Sequence, residues 1–367
     1  MTDAEIFHNE TTQFGGRLAR ETIPIEASRA FYAEIIERGT NLIDAARHVI
    51  PTLPPIHFDF ILNGAVNAMA FKSHNRYFIG LNTGTLYILR FVTGRMLSDS
   101  RLLLFVGVAK DEQELEPFSN YQPDAEEIYK KAPLSTPKNA IRASYASFLL
   151  DQAILFFVGH EITHITHGHV DYLMSKRGAN ITAELEWVGS KHGDELLERQ
   201  CLEMDADRRS IISRIDSLKT TYSNPNFSPP PWSSESYTGP QQLLLDWWIS
   251  LNILFRLFGD VRFTHSALKN SNYPPLALRR AMCLMAAFGA VDQLWDSGLM
   301  DVARKVFKIG YREAELAFAT MLGEKPSVEG VQQAFSKTGR EHAIKLEHYW
   351  NSTVLERVRP FSYELQT

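Results

Sequence analysis

Hydrophobic periodicity along the chain predicts a mostly helical protein that contains one small sheet. Residues 25–50 place apolar side chains at helical spacing, whereas residues 56–62 alternate polar and apolar positions as a half-buried strand does. Residues 65–71 and 76–81 predict the two strands of a hairpin, with the polar stretch 72–75 as its turn. These segments favour a small sheet that follows an N-terminal helix.

The later part of the chain carries longer helical patterns. Residues 144–158 are apolar on nearly every side, as in a buried helix, and we expect this helix to extend over 140–168 and to stop at Gly168. Residues 194–216 repeat apolar positions on one face and predict an amphipathic helix. The run 102–108 fits either a strand or a helix. Further helices are expected at 85–97 and 243–258, and residues 281–323 and 329–352 are expected to be mostly helical.

These elements define an α+β, predominantly helical fold class and divide the chain into three predicted regions. An N-terminal helical segment covers residues 1–55, a core domain covers 56–290, and a C-terminal helical layer covers 291–367. The segment 220–240 is rich in proline and serine but also holds four aromatic residues. It is therefore either a lid over a binding site or a packed surface loop.

Composition narrows the classes of function. The net charge of −5 and the pI near 6.2 give no reason to expect a nucleic-acid partner. Cys201 and Cys283 are the only cysteines and lack a CxxC partner, so a disulfide framework is not expected. The N-terminus lacks the features of a signal peptide, and Asp246, Asn252 and Arg256 interrupt the most membrane-like stretch. We therefore expect a cytoplasmic protein that is not embedded in a membrane.

The most informative motif lies at the end of the apolar helix, where Glu161 stands between His160 and His164 in the pattern His-Glu-x-x-His. Positions four residues apart share one helix face, so both imidazoles can reach a single Zn²⁺. The Glu161 carboxylate can accept a proton from a zinc-bound water. Buried histidines also need polar partners, which a metal supplies. The motif predicts a zinc centre, and two unrelated histidines on a surface helix are the alternative.

A catalytic zinc needs a third protein ligand and leaves its fourth position to water. Val170 stands where a metzincin has its third histidine, so that arrangement is excluded. Glu203 and Asp207 share a face of the amphipathic helix. We therefore predict that Glu203 is the third ligand and that Asp207 orients a ligand imidazole. The alternatives for the third ligand are Glu195, Glu198, Asp205 and His167.

Together these motifs resemble the gluzincin zinc metallopeptidases, and most closely the soluble Lit-type peptidases, which are phage-exclusion proteases. The resemblance covers roughly residues 60–290. It extends to His169, which holds the place of a further histidine in the Lit pattern and which we otherwise expect to hydrogen-bond locally. One departure is Asp205, an additional acid inside the second motif. The resemblance implies a zincin-like core for the predicted fold.

The resemblance also implies roles for three residues outside the zinc motif. The family has a sequence element of the form His-Pro-Pro/Ala-x-x-x-Arg. In this chain the element begins with Tyr273 in place of the histidine and ends at Arg279. The Tyr273 hydroxyl is expected to stabilise the transition-state oxyanion, a catalytic role for which His265 and Arg279 are the alternatives. Asn67 lies in a segment that related gluzincins place before the motif helix. Asn67 and Arg279 are both expected to bind substrate.

The residues and the resemblance predict a soluble zinc metalloendopeptidase with a protein or peptide substrate. Glu161 would activate a zinc-bound water for attack on the peptide carbonyl and then protonate the leaving amine. An extended substrate would pair with strand 76–81. The Lit resemblance implies one selected host protein, cut when phage infection is sensed. Two alternatives stay open: a zinc-binding sensory or toxin-like module that binds a partner protein with little proteolytic activity, and a zinc hydrolase of a non-peptide substrate.

Overall fold

The structure, a computed structural model, describes residues 1–119, 121–177, 193–233, 239–258, 263–264, 268, 270–295 and 298–365. The described helices are α1 (Asp3–Thr11), α2 (Glu26–Val49), α3 (Thr83–Leu97), α4 (Ala125–Lys131), α5 (Ala140–Thr166), α6 (His169–Arg177), α7 (Gly193–Ser223), α8 (Pro240–Leu257), α9 (Leu276–Leu294), α10 (Leu299–Leu322), α11 (Glu329–Ala334), α12 (Lys337–Tyr349) and α13 (Leu355–Val358). The strands are β1 (Ile56–Ile61), β2 (Ala68–Ser73) and β3 (Arg76–Asn82). The predicted class, α+β and predominantly helical, is confirmed.

The sheet has the strand order β1-β3-β2, with β3 parallel to β1 and antiparallel to β2. β2 and β3 form the predicted hairpin, and His74 and Asn75 make its tight turn at positive φ, which suits the twist of a two-residue hairpin. The expectation that a substrate pairs with residues 76–81 is wrong, because they form the central strand and both of its edges are occupied. Among the described residues, no strand pairs with the outer edge of β2.

The apolar run 102–108, predicted as a strand or a helix, is neither in the structure. It is an irregular segment in which Leu102, Leu103 and Val106 are buried while Leu104 and Val108 are exposed. The fully buried side chain of Arg142 holds it. The Arg142 guanidinium donates hydrogen bonds to the carbonyl oxygens of Leu97, Asp99, Leu102, Leu103 and Val106. Buried carbonyls must be paired, and here side-chain donors replace the backbone donors of regular structure. Residues 281–323, expected to be mostly helical, lie mainly in the two helices α9 and α10.

The principal hydrophobic core takes residues from all three predicted regions, among them Ile35 of α2, Phe157 of α5 and Phe318 of α10. Helix α5 contacts α3, α7, α8 and β2, which explains why it is apolar on nearly every side. By length and composition α5 is the one described helix that could cross a membrane. However, 61 % of its most apolar window is buried inside the protein, as in the core helix of a soluble protein.

The described part of the proline-rich segment packs against this core. The Trp232 indole donates a hydrogen bond of 2.8 Å to the carboxylate of Asp246 and lies edge-on to the ring of Tyr145. Residues 234–238 of the predicted 220–240 loop lie outside the described residues. The loop is therefore anchored to α5 and α8 at Trp232.

Candidate metal centre

Two helices bring the predicted zinc ligands together. Helix α5 ends at Thr166, and Gly168 follows it at a positive φ of 79°, so the predicted stop is confirmed. The last turns of α5 present His160 and His164 on one face, and α7, which packs against α5, contributes Glu203. All three side chains are buried. The fold thus brings Glu203 to two histidines that precede it in the sequence by 39 or more positions.

The donor atoms of the three residues face one another at distances that suit one metal ion. Nε2 of His160 lies 3.0 Å from Nε2 of His164 and 3.4 Å from one oxygen of Glu203. The other oxygen of Glu203 lies 3.8 Å from His164 Nε2. Donors bound tetrahedrally to zinc at about 2.0–2.1 Å are about 3.3–3.4 Å apart. Two imidazoles and a carboxylate are also a donor set that zinc accepts, so these residues could hold it.

Asp207, one turn beyond Glu203 on α7, supports the first histidine. One of its oxygens lies 3.0 Å from Nδ1 of His160, and Arg279 of α9 donates two hydrogen bonds of 2.8 Å to the same carboxylate. Burial alone would raise the pKa of Asp207, but Arg279 and His160 lower it to about 2. A charged Asp207 keeps the proton of His160 on Nδ1 and turns Nε2 toward the other ligands. Arg279, predicted to bind substrate, is thus placed as a positioning residue for Asp207.

His169 supports the second histidine, since its Nδ1 lies 3.0 Å from Nδ1 of His164. The expected local hydrogen bond of His169 is therefore confirmed. Its Nε2 faces Asp205 at 3.3 Å, and the same carboxylate lies 2.5 Å from Nδ1 of His167. These residues form a second group of close donors. The 2.5 Å between Asp205 and Nδ1 of His167 is the length of a short hydrogen bond. Two donor atoms bound to the same zinc lie farther apart, at about 3.3 Å, so this distance indicates a hydrogen bond between the two residues.

The alternatives for the third ligand lie apart from His160 and His164. Asp205 and His167 pair with each other, as described above. The carboxylate of Glu198 accepts hydrogen bonds from Tyr172 and Arg357 and pairs with Lys176. The group of close donors around the two motif histidines contains Glu203 and no other carboxylate among the described residues. Glu203 is therefore the acid that the fold brings to the motif.

The C-terminal segment docks on the end of the motif helix. The backbone N–H of Tyr363 and the hydroxyl of Ser362 donate hydrogen bonds of 2.8 Å and 3.0 Å to the carbonyl oxygen of Thr166. Gly168 makes this approach possible, because a Cβ there would lie 2.5 Å from the carbonyl carbon of Phe361. No sequence pattern indicated this contact, which joins positions 196 residues apart.

Glu364 extends the hydrogen-bond network from the metal centre to this segment. Its carboxylate lies 3.4 Å from Nε2 of His167 and pairs with Arg209 of α7. Burial alone would lower the pKa of His167, but Asp205 and Glu364 raise it to about 9. A charged His167 between two carboxylates explains how three ionisable groups are accommodated in a buried site.

Glu161 lies between the motif helix and the outer strand of the sheet. The backbone N–H of Ala70 in β2 donates a hydrogen bond to its carboxylate, and burial raises the pKa of Glu161 to about 7. The carbonyl of Asn67 accepts a hydrogen bond of 3.0 Å from Asn82, which fixes the register of β2 on β3. Alternate residues of β2 therefore direct their backbone groups outward, and Ala70 and Lys72 are among them.

The remaining predicted site residues are found in different surroundings. The ring of Tyr273 is centred 5.8 Å from the guanidinium carbon of Arg279, so it lies beside the Arg279–Asp207 pair. Asn67 precedes β2, and its backbone N–H donates to the Thr85 hydroxyl at 2.9 Å. Its expected contact with substrate stays a prediction. His265, the alternative donor to the oxyanion, lies outside the described residues.

No family model, curated protein or solved structure matches this chain. The resemblance to Lit-type peptidases therefore stays a prediction that is carried by the motifs themselves. What the site can do has to be argued from the residues that the fold brings together.

Proposed function

We propose that the protein is a zinc-dependent metalloendopeptidase with a zincin-like core. The observation that carries this proposal is the meeting of His160, His164 and Glu203 at mutual donor distances of 3.0–3.8 Å. Glu161 follows the first of these residues in the chain and lies against β2. Three metal-ligand donors and one adjacent free carboxylate are the components that metal-assisted hydrolysis requires.

Each group of the centre has a distinct task in this proposal. His160, His164 and Glu203 would hold zinc, which when bound lowers the pKa of a water and polarises a carbonyl oxygen. Glu161 accepts the proton of the attacking water and passes it to the leaving amine. The hydrogen bond from the Ala70 N–H would help to hold the Glu161 carboxylate in place.

The surrounding residues hold these groups in place. Asp207, fixed by Arg279, orients His160, while His169 orients His164. Tyr273 lies beside Arg279, and its hydroxyl would donate a hydrogen bond to the oxyanion of the tetrahedral intermediate. Such donors stabilise the charge that develops in the transition state more than they stabilise the substrate.

An extended polypeptide is the substrate that the sheet favours. Among the described residues no strand pairs with the outer edge of β2. Glu161 takes the Ala70 N–H on this edge, so an extended peptide would add beside it, at the partly exposed Lys72. A bound peptide would therefore run past the carboxylate that activates water. By the Lit resemblance, we propose a selected cytoplasmic protein as the physiological substrate, cut in a phage-exclusion role.

The test uses the purified, zinc-loaded protein and an unfolded polypeptide as substrate. We expect about one zinc per chain, loss of zinc in His160→Ala, and loss of hydrolysis with zinc retained in Glu161→Gln. Glu126→Gln, at an exposed position of α4, is the matched control and should leave hydrolysis unchanged. Zinc binding without hydrolysis by the wild type would favour a partner-binding module, and zinc retained in His160→Ala would refute the site.

A further inference from the structure

A group of buried polar residues adjoins the metal centre and has no task in the proposed chemistry beyond the contact of His169 with His164. It consists of His167, His169 and Asp205, none of which is more than 7 % exposed. His169 is the first residue of α6, and its ring packs edge-on against the indole of Trp350 with the ring centres 5.9 Å apart. A fully buried ring in such a contact is held in one orientation, so each of its nitrogens has a defined neighbour.

The positions of the protons on two histidines follow from this geometry. Nε2 of His164 faces Nε2 of His160 at 3.0 Å and an oxygen of Glu203 at 3.8 Å, and it must be unprotonated to bind a metal. A neutral imidazole carries one N–H, so the proton of His164 then lies on Nδ1. Nδ1 of His169, 3.0 Å away, has to accept this hydrogen bond, which leaves the proton of His169 on Nε2.

The reverse order of protons would block the metal site. With its proton on Nδ1, His169 would donate to Nδ1 of His164, and the proton of His164 would lie on Nε2, where the metal binds. Each order gives the contact between the two rings one N–H and one acceptor. A group outside the pair is therefore needed to select the order that leaves Nε2 of His164 unprotonated.

Asp205 is the group that faces the other nitrogen of His169. One oxygen of its carboxylate lies 3.3 Å from Nε2 of His169, and among the described residues this nitrogen has no other hydrogen-bond partner. The same oxygen accepts a hydrogen bond of 2.5 Å from Nδ1 of His167. At 3.3 Å the contact with His169 is mainly electrostatic, and the negative charge of Asp205 favours a proton on the nitrogen that faces it.

We propose that Asp205 is a positioning residue for the second zinc ligand and acts through His169. It holds the proton of His169 on Nε2, so that Nδ1 of His169 accepts from His164 and Nε2 of His164 is ready to bind a metal. The proposal rests on the proposed metal centre and deepens it. Asp205 thereby has the relation to His164 that Asp207 has to His160, with one imidazole between.

NMR of the metal-free wild type tests the order of protons directly. In protein that contains nitrogen-15-labelled histidine, two-bond proton–nitrogen correlations at about pH 8 distinguish Nδ1–H from Nε2–H in each neutral ring. We expect the proton of His164 on Nδ1 and that of His169 on Nε2, and a measurable share of the reverse order in Asp205→Asn. The reverse order in the wild type would overturn the proposal.

A cycle of two substitutions tests whether Asp205 acts through His169. Asp205→Asn should lower the zinc affinity at least about tenfold. His169→Asn supplies an amide oxygen that accepts from Nδ1 of His164 without help from Asp205, so in this background Asp205→Asn should change the affinity less than about twofold. Equal losses in the two backgrounds would make Asp205 a direct ligand or a structural residue and would overturn the proposal.

Glu198→Gln is the matched control, because Glu198 is a buried carboxylate of the same helix that pairs with Lys176 and Arg357. It should change neither the order of protons nor the zinc affinity. If Asp205→Asn does not fold by circular dichroism, the spectrum of the wild type decides. Two zinc ions per chain, one of them lost in Asp205→Asn, would make the buried group a second metal site and overturn the proposal.

The outcomes also separate this proposal from the proposed function. A wild type that binds no zinc would refute both. Zinc bound by the wild type together with the reverse order of protons in the metal-free protein would refute the role of Asp205 alone.

Discussion

At the scale of single residues, each histidine of the proposed centre has a partner that fixes its ring. Asp207 holds Nδ1 of His160 and is itself held by Arg279, whereas His169 faces Nδ1 of His164. Such partners set which imidazole nitrogen is free to bind a metal. A direct ligand and a positioning residue should therefore respond differently to substitution.

The first prediction compares Glu203→Gln with Asp207→Asn. Glu203→Gln removes a ligand atom and should abolish tight zinc binding, while Asp207→Asn should weaken it about 10–100-fold. Competition with a chromophoric chelator measures both affinities. Asp216→Asn, an exposed substitution on the same helix, is the control and should bind zinc as the wild type does. If Asp207→Asn were the more damaging change, the two roles would be exchanged.

The second prediction concerns the hydroxyl of Tyr273. Tyr273→Phe keeps the ring beside Arg279 and removes only the donor. If the hydroxyl stabilises the oxyanion, kcat should fall about 10²–10³-fold with an unchanged zinc content. Steady-state kinetics on the substrate of the wild-type enzyme measure the change. An unchanged kcat would leave Tyr273 a packing residue and assign the donor role elsewhere.

At the scale of elements, sequence patterns predicted the helices and turns that are determined by interactions between residues close together in the chain. The hairpin, the motif helix and its stop at Gly168 follow from periodicity and turn chemistry within a few residues. The irregular segment 102–108 was not predictable in this way, because its carbonyls are paired by Arg142, 36 to 40 residues away in the chain. The contact of the C-terminal segment with α5 is likewise tertiary and leaves no periodic signal.

The third prediction tests the role of Arg142 in holding that segment. Arg142→Met keeps an unbranched apolar side chain but leaves five buried carbonyl oxygens without these donors. We expect the free energy of unfolding to fall by about 3–5 kcal/mol. Urea denaturation measures it, with Arg47→Met as the control at a partly exposed arginine. A loss similar to that of the control would show that the segment is held by apolar packing alone.

At the scale of the whole molecule, one core joins the three predicted regions, and it contains a buried acid far from the ends of the chain. Asp246 of α8 accepts hydrogen bonds from Tyr145, Gln242 and Trp232. Burial raises its pKa from the ordinary 3.8 to about 7, although these hydrogen bonds oppose the rise. The protonation of Asp246 therefore links folding of the entire core to pH.

The fourth prediction follows from the sign of this shift. Between the pKa of Asp246 in the unfolded chain and its pKa in the folded protein, only the unfolded chain releases the proton. The contribution of Asp246 to the free energy of unfolding is therefore fully present below about pH 4 and is lost as the pH rises through 7. Asp246→Asn stays neutral. Its stability relative to the wild type should increase by roughly 2–4 kcal/mol from about pH 4 to about pH 8, measured by urea denaturation. A constant difference across this range would contradict the buried, protonated state.

The central claim is that the His160–His164–Glu203 centre with Glu161 cuts a protein inside the cell. Proteome-wide profiling of new N-termini in cells that express the wild type or Glu161→Gln tests it most directly. We predict one or a few N-termini that accumulate with the wild type and are absent with Glu161→Gln, although both proteins are present in equal amounts. The same N-termini at equal abundance in both cell populations would contradict the claim.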